Sequence, residues 1–209
     1  MCTPNDTHGD IVREALSDGK LVLCEKPLTI FDDYYGMEGV NVVLQLRYNP
    51  LVKALTINLP RNSHVSIKVV TYREKTYWDS WKGDPERSGG ILYNMGVHYI
   101  DLLIQLLGNP VQVIESKLDK KYQATGKIQF EKGIGEYHIE LSREPCETIR
   151  NIVVNGMTEN VEGATIPLLD GTKMEYADLH SEVYKNFVAG NGIGLEEAQK
   201  ALDLIVDLV

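Results

Sequence analysis

Cysteine is scarce in this 209-residue sequence, which contains only Cys2, Cys24 and Cys146. An odd number of widely spaced cysteines gives neither a disulfide framework nor the paired ligand spacing of a zinc site. We therefore expect no bound metal, and a reducing compartment, the cytoplasm. Long apolar runs are also missing and the first ten residues are polar, so we expect neither a membrane partner nor a signal peptide.

The sequence also lacks net positive charge. Its 30 acidic residues outnumber its 21 lysines and arginines, which gives a formal net charge of −9. A chain of this charge is repelled by phosphate backbones, so we expect no nucleic-acid partner. Any anionic ligand would need a local cationic pocket.

The sequence also lacks one glycine-rich motif, although it contains 18 glycines. None of them forms a GxGxxG motif, the strand-to-helix turn that binds the pyrophosphate of a dinucleotide. The nearest match, GNGIG at residues 190–194, follows a predicted helix, and its third glycine comes too early. We expect a turn that opens the last helix.

The hydrophobic periodicity divides the chain near residue 40. Residues 7–17 predict a helix and residues 20–24 a buried strand, which together form half of a parallel α/β unit. The remainder, residues 41–209, predicts an α+β domain with an open, mainly antiparallel sheet. The expected elements are a strand at 40–48, a short helix from Pro50, a strand at 64–74, a long helix at 90–107, a four-strand meander at 111–118, 122–130, 135–142 and 149–156, and closing helices at about 178–189 and 195–208.

A polar stripe runs along the predicted long helix. Asn94, His98, Asp101 and Gln105 follow one another at steps of four, three and four residues, which places them on one face. If the stripe belongs to an active site, His98 is the proton acceptor and Asp101 fixes its tautomer. A buried histidine with satisfied hydrogen bonds, or a solvated face, has the same spacing.

The segment LCEKPL at residues 23–28 follows the first predicted strand. Pro27 restricts Lys26 to an extended backbone, which directs the lysine out of the carboxyl edge of the sheet, where α/β folds bind ligands. A turn lysine in solvent is the alternative.

Residues 73–87 hold both tryptophans of the chain among basic residues. Aromatic faces of Trp78 and Trp81 can stack on a base or sugar, while Arg73 and Lys82 can bind diphosphate or carboxylate groups. The alternative is a packed strand and loop with surface charges.

The segments TPNDTH, VLCEKPL and GGILYNMGVHYIDLL, taken in this order, resemble the glucose–fructose oxidoreductase / inositol dehydrogenase family of NAD(P)-dependent sugar dehydrogenases. The resemblance covers most of the chain and implies NAD as cofactor. It implies that Lys26 lies between nicotinamide and substrate and that His98 is the general base or its relay. It also implies that residues 1–40 are the end of a Rossmann domain. The residues implied on the cofactor side are Thr3, Pro4, Asn5, His8, Glu25, Lys26 and Pro27.

A narrower resemblance, carried by VVLQLRYNP and YWDSWKGDPERSGG, is to the dehydrogenases that oxidise the 3-hydroxyl of UDP-N-acetylglucosaminuronate in bacterial surface-polysaccharide synthesis. It implies a nucleotide-sugar substrate bound by Arg73, Trp78, Trp81, Lys82, Asn94 and His98. Many relatives carry aspartate at the position of Asn94. Because asparagine cannot take a proton, His98 is expected to be the main general base. The wider family implies a homo-oligomer joined through the sheet face.

The chain departs from the family pattern at its amino-terminal side, where the strand–GxGxxG–helix half is missing. We therefore expect weak NAD binding and no activity for the chain by itself. A second hypothesis follows from the same absence: a non-catalytic remnant that acts as a binding or oligomerisation module.

Overall fold

The computed structural model describes residues 3–160, 165–167, 173–175 and 178–209. Its helices are α1 (His8–Ser17), α2 (Pro50–Asn58), α3 (Lys75–Trp78), α4 (Pro85–Ser88), α5 (Val97–Leu107), α6 (Asp178–Val188) and α7 (Leu195–Leu208). Its strands are β1 (Leu23–Cys24), β2 (Asn41–Val42), β3 (Ser63–Tyr72), β4 (Pro110–Asp119), β5 (Gln123–Phe130), β6 (Gly133–Ser142), β7 (Ile149–Val154), β8 (Met157–Asn160), β9 (Thr165–Pro167) and β10 (Lys173–Glu175). Short 3-10 turns occur at Asn5–Thr7, Gln45–Tyr48 and Trp81–Gly83.

The largest sheet has six strands in the order β4-β5-β6-β3-β7-β8. All neighbours are antiparallel except β3 and β6, which are parallel. The expected mainly antiparallel sheet of a mixed α/β protein is therefore confirmed. The predicted four-strand meander is wrong at its last step, because β7 pairs with β3 and not with β6. Alternating hydrophobicity fixes which face of a strand is buried, but not which strand lies beside it.

Helix α5 covers the inner face of this sheet, and ten of its eleven residues are buried. Gly135 on β6 permits the close approach, since a Cβ there would lie 3.1 Å from Leu103 and 2.6 Å from the Phe130 ring. The long helix predicted at residues 90–107 is confirmed, with a π-helical segment at Leu92–Gly96 directly before α5. Gly108, with a φ of 83°, ends it as expected.

The amino-terminal part is a small α/β unit in which α1 precedes β1, and β1 pairs in parallel with β2. The predicted strand at 40–48 is wrong beyond Val42, because residues 45–48 turn as a 3-10 helix. Residues 42–46 are all buried, and a continuous apolar run does not distinguish a strand from other buried backbone. Asn49 then caps α2 by accepting a hydrogen bond from the Leu51 amide at 2.8 Å.

The closing helices α6 and α7 agree with the prediction, and the GNGIG stretch forms the turn between them. None of the helices in the described ranges is long and apolar enough to cross a membrane. The same ranges hold no cluster of three or more histidine, cysteine, aspartate or glutamate residues suited to a metal ion.

Candidate active site

A cavity of about 370 Å³ opens where the small α/β unit meets the inner face of the large sheet. The residues that follow β1, the 3-10 turn at Gln45–Tyr48, the start of the long helix, α6 and one end of β3 and β7 all contribute to its wall. The lining includes Lys26, Arg73, Asn94, His98, Arg150 and His180. The fold thus gathers residues that are up to 154 positions apart, from Lys26 to His180.

Lys26 reaches the long helix from the end of β1. Its ammonium group donates a hydrogen bond to the backbone carbonyl of Asn94 at 2.5 Å. That carbonyl belongs to the π-helical segment Leu92–Gly96, and π turns of this kind are frequent at functional sites. The EKP segment and the helix motif, which are separate in sequence, therefore share one site.

His98 lies in the wall of the cavity with 8% of its surface exposed. Its Nε2 is 3.5 Å from the amide nitrogen of Gln45, and its Nδ1 has no hydrogen-bond partner within the described residues. Burial lowers the pKa of His98 well below its usual range, and the charges of Lys26 and His180 lower it further. The imidazole is therefore neutral at pH 7 and can accept a proton.

Asp101 does not orient His98, so that expectation is wrong. Its carboxylate accepts hydrogen bonds from Arg47, at 2.6 Å from Nη2 and 3.0 Å from Nε. Burial raises the pKa of the Asp101 carboxyl, and the bonds from Arg47 oppose that rise. The bidentate guanidinium outcompetes the imidazole because two charge-assisted bonds satisfy a buried carboxylate better than one neutral donor.

Asn94 connects the helix to the segment after β3. Its side-chain amide donates to the hydroxyl of Tyr77 at 2.8 Å, while the Arg73 guanidinium lies 5.2 Å from the centre of the Tyr77 ring. Burial raises the pKa of Tyr77, which keeps its hydroxyl protonated. The cavity therefore has hydrogen-bonding groups beside His98 that do not titrate near pH 7.

Cations dominate the lining. Lys26, Arg73, Lys82 and Arg150 face the cavity together with His180, and Glu25 is the single acidic residue of the described lining. The Nε of Arg73 is buried and has no hydrogen-bond partner in the described part of the chain. Four cations in one lining suit a ligand that carries anionic oxygens. This is the local cationic pocket that an anionic ligand needs in a chain of net charge −9.

The two tryptophans lie outside the cavity lining. Trp78 is part of the local packing: its indole N–H donates to the Arg73 carbonyl at 2.9 Å, and its ring contacts Tyr77 and Tyr122. The Trp81 ring lies 5.7 Å from the Lys82 ammonium, and so it is one residue removed from the cavity. The structure brings Arg73, Lys82, Asn94 and His98 into one cavity lining, which includes neither Trp78 nor Trp81.

The residues expected on the cofactor side form one connected loop region. The ring of His8 is buried, with Nδ1 2.7 Å from the Pro27 carbonyl and Nε2 2.9 Å from the Thr3 carbonyl. Asn5 is also buried and donates to the Ser88 carbonyl at 2.8 Å. His8 and Asn5 thus hold these loops together through hydrogen bonds to backbone carbonyls.

The other residues predicted on the cofactor side do not all lie at the cavity. Pro4 accepts hydrogen bonds from Thr7 through its carbonyl, at 3.0 Å from the amide and 2.7 Å from the hydroxyl. Glu25 lines the cavity beside Lys26. The residues predicted on the cofactor side therefore lie close together in space, and two of them, Glu25 and Lys26, face the cavity.

Several lining residues were not predicted from the sequence, among them Gln45, Arg150 and His180. Arg150 could have been recognised from the sequence, because it lies two and four positions before the apolar Ile152 and Val154 and so shares their face of the strand. That face is buried, and Arg150 lies opposite Val69 on it. A charged residue in the core register of a strand needs a partner or a cavity. Gln45 and His180 lie on elements whose position relative to His98 is set only by tertiary packing.

Family models match both parts of the chain. Residues 1–38 match the model described as "Oxidoreductase family, NAD-binding Rossmann fold", and residues 56–192 match "Oxidoreductase family, C-terminal alpha/beta domain". Among curated relatives, inositol 2-dehydrogenase of Rhizobium meliloti is 28% identical over 157 residues, covering 65% of this chain and 42% of that protein. The chain spans 38% to 50% of the length of three such relatives.

Solved structures give the same assignment. The WlbA (WbpB) dehydrogenase from Thermus thermophilus, in complex with NAD and UDP-GlcNAcA, has a TM-score of 0.78 and 31% sequence identity, covering 97% of this chain and 68% of that chain. The WlbA dehydrogenase from Bordetella pertussis, in complex with NADH and UDP-GlcNAcA, has a TM-score of 0.77 at 19% identity, covering 100% and 75%; at that identity it shows the fold alone. The chain therefore belongs to the oxidoreductase family whose members combine an NAD-binding Rossmann fold with a C-terminal alpha/beta domain.

Proposed function

We propose that this chain carries the substrate site of an NAD-dependent oxidoreductase that oxidises a secondary alcohol of a nucleotide sugar of the UDP-N-acetylhexosaminuronate type. The observation that carries the proposal is the cavity itself. It combines a neutral, buried His98 with Lys26 and three further cations, Arg73, Lys82 and Arg150. Proton acceptance and anion binding are thus possible within one cavity of about 370 Å³.

NAD is the cofactor in this proposal, since the matched family is NAD-binding and the Thermus relative was solved with it. The residues present fit the nicotinamide end of the cofactor. Glu25 and Lys26 face the cavity at the carboxyl edge of the parallel strands β1 and β2, where α/β folds bind their ligands. When bound there, NAD supplies the acceptor for a hydride.

The proton is handled by the chain's own residues. His98 accepts the proton of the substrate hydroxyl on its ring nitrogen as the C–O bond becomes a carbonyl and the carbinol carbon loses a hydride. Lys26 donates a hydrogen bond to the same oxygen and favours its negative charge. Asn94 donates a hydrogen bond without taking a proton, and Asp101 acts only through Arg47.

The anionic part of the substrate is assigned to the cations. Arg73 contributes a guanidinium to the cavity lining, and Arg150 and Lys82 add two more positive charges. A diphosphate or a sugar carboxylate can accept charge-assisted hydrogen bonds from these cations, whereas a neutral polyol offers them no negative charge. The proposal therefore favours UDP-sugars over inositol or glucose, and a role in bacterial surface-polysaccharide synthesis in the cytoplasm.

The 209-residue chain alone is proposed to be inactive, because residues 1–209 contain no GxGxxG turn for the cofactor pyrophosphate. The same observation supports a second candidate function, a non-catalytic module that binds a nucleotide sugar or joins subunits. A homo-oligomer formed through the open face of the six-stranded sheet belongs to both proposals.

A fusion tests the enzymatic proposal. The NAD-binding half of the Thermus thermophilus relative is joined ahead of residue 1, and NADH formation is followed with UDP-N-acetylglucosaminuronate and with myo-inositol. Turnover of the UDP-sugar that disappears in the His98→Asn variant supports the dehydrogenase. A folded fusion that binds both NAD and the UDP-sugar but forms no NADH supports the non-catalytic module.

A further inference from the structure

Arg47 is the most heavily bonded cation in the neighbourhood of His98. Its guanidinium binds the Asp101 carboxylate through Nε and Nη2, with nitrogen–oxygen distances of 2.6 to 3.1 Å. It also donates to the Glu197 carboxylate at 3.2 Å and to the Glu197 backbone carbonyl at 3.1 Å. The Arg47 side chain is 12% exposed and that of Asp101 only 2%. A single side chain thus binds four acceptor atoms, two of them on the buried Asp101 carboxylate.

These bonds connect three separate segments of the chain. Arg47 lies in the 3-10 turn Gln45–Tyr48, Asp101 lies on α5, and Glu197 lies in the first turn of α7. The first two segments also supply the pair that meets at the cavity wall, since Gln45 and His98 face each other at 3.5 Å. Gln45 is two positions from Arg47 in the sequence, and His98 is three positions from Asp101.

The Arg47–Asp101 ion pair fixes the geometry of the two segments more than it stabilises the fold. A buried ion pair is weak support for stability, because the desolvation of two charges offsets most of their attraction, and apolar residues of similar volume often replace it without loss. A planar guanidinium bound to both oxygens of a carboxylate does fix the distance and the rotation between two segments. Here those segments are the 3-10 turn and α5.

We infer that Arg47 is a positioning residue for His98, and that its bidentate bond to Asp101 sets the 3-10 turn against α5 so that the imidazole stays buried in the cavity wall. The inference rests on the proposed function, in which His98 takes the substrate proton. Lysine cannot make the same two-point contact, and so the Arg47→Lys variant keeps the charge and loses the geometry.

Two charged or titratable groups act on the imidazole from other elements, Lys26 after β1 and His180 on α6. A looser turn admits water to the imidazole and reduces its desolvation. The pKa of His98 then moves back toward its ordinary value near 6.5. A residue that only holds the fold together would change the melting temperature without this specific effect.

The test is an NMR titration of the histidine rings in the isotope-labelled 209-residue chain. The chain has five histidines, and the His98 signal is identified by its loss in the His98→Asn variant. Arg47→Lys is expected to raise the His98 pKa by about one pH unit. The Arg47→Met/Asp101→Leu double variant removes the two charges and the two-point contact together, and is expected to raise the His98 pKa in the same direction while staying folded.

Arg13→Lys is the matched control, because Arg13 also binds several acceptors, including Asp10 and Asp33, but lies outside the cavity lining. Its His98 titration should equal that of the wild type. The inference is overturned if both Arg47 variants titrate like the wild type, or if neither folds, since a positioning residue is not required for folding.

In the active fusion, Arg47→Lys should lower kcat about 10-fold with little change in KM, and should shift the acid limb of the kcat–pH profile in step with the NMR value. A shifted His98 titration in a fusion that never oxidises a UDP-sugar would refute the proposed function and support the positioning role. An unshifted titration in an active fusion would do the reverse.

Discussion

The Lys26 ammonium and the Asn94 backbone carbonyl are joined by a hydrogen bond of 2.5 Å across 68 positions of sequence. This bond brings the end of β1 to the π-helical segment that leads into α5. His98 follows Asn94 by one helical turn, so the lysine and the histidine occupy the same cavity. The chemistry proposed for the chain depends on this relationship.

The first prediction concerns these two residues. In the fusion that oxidises a UDP-sugar, His98→Asn should lower kcat by about 10² to 10⁴, the usual range for loss of a general base. Lys26→Met should be comparably harmful because it removes the cation beside the developing oxyanion. Steady-state kinetics measure both effects, and a near-normal kcat for either variant would remove that residue from the mechanism.

The second prediction concerns the cationic lining. Arg73→Gln and Arg150→Gln should each weaken UDP-sugar binding by about 10- to 100-fold, because each removes charge-assisted hydrogen bonds to an anionic ligand. Lys68→Gln removes the same charge from the exposed side of β3, outside the cavity, and serves as control. Equal losses in all three variants would mean that overall charge, and not the cavity, binds the ligand.

The third prediction concerns pH and stability. The unfolded chain protonates His98 near pH 6.5, while the folded chain holds it neutral to a much lower pH. Below pH 6.5 the unfolded state therefore binds more protons, and the free energy of unfolding falls by up to about 1.4 kcal/mol per pH unit. This contribution is fully present above pH 6.5.

Denaturant titrations between pH 7.5 and 5 measure the effect in the wild type and in His98→Asn. The stability of the variant should depend less steeply on pH than that of the wild type, because the variant lacks this titrating group. Parallel pH profiles for the two proteins would show that His98 is not held neutral by the fold.

The fourth prediction separates the two tryptophans. Trp78→Ala should cost about 2 to 3 kcal/mol of stability, because it removes an indole hydrogen bond and ring contacts to Tyr77 and Tyr122. Trp81→Ala should leave the melting temperature near that of the wild type and weaken UDP binding through the displaced Lys82. Thermal melts and calorimetry on both variants distinguish the roles, and the opposite pattern would return Trp78 to the binding site.

The fifth prediction concerns the cofactor. The 209-residue chain should bind NAD with a Kd above about 1 mM, weaker than the micromolar to millimolar constants typical of working enzymes. The glycine-rich turn that binds pyrophosphate is missing from its sequence, and a net charge of −9 offers no general compensation. Saturable binding near about 10 µM by equilibrium titration would reveal a phosphate site of another kind.

Motif-bearing residues were the most predictable part of the site. Lys26 and His98 are marked by local signals, a proline-restricted strand end and a polar stripe on an apolar helix, and the structure brings both to one cavity. Asp101 was assigned to His98 because spacing on a helix shows which residues share a face. Spacing gives no information about Arg47, which approaches from another element and binds that carboxylate.

The same limit applies to the fold. Alternation predicted the strands β3 to β7 and their mainly antiparallel character, since a period of two fixes the buried face. It did not predict that β3 separates β6 from β7, because pairing depends on the path of the chain. Arg150 became a cavity residue through that pairing, which places it opposite Val69 on the inner face.

Isothermal calorimetry tests whether the cavity around His98 binds an anionic nucleotide sugar. UDP-N-acetylglucosaminuronate is titrated into the wild-type chain and into the Arg73→Gln/Arg150→Gln variant, with myo-inositol as the neutral comparison. We expect saturable binding of the UDP-sugar to the wild type, loss of that binding in the variant, and no heat with inositol. Binding of inositol without binding of the UDP-sugar, or equal UDP-sugar affinity in both proteins, would contradict this expectation.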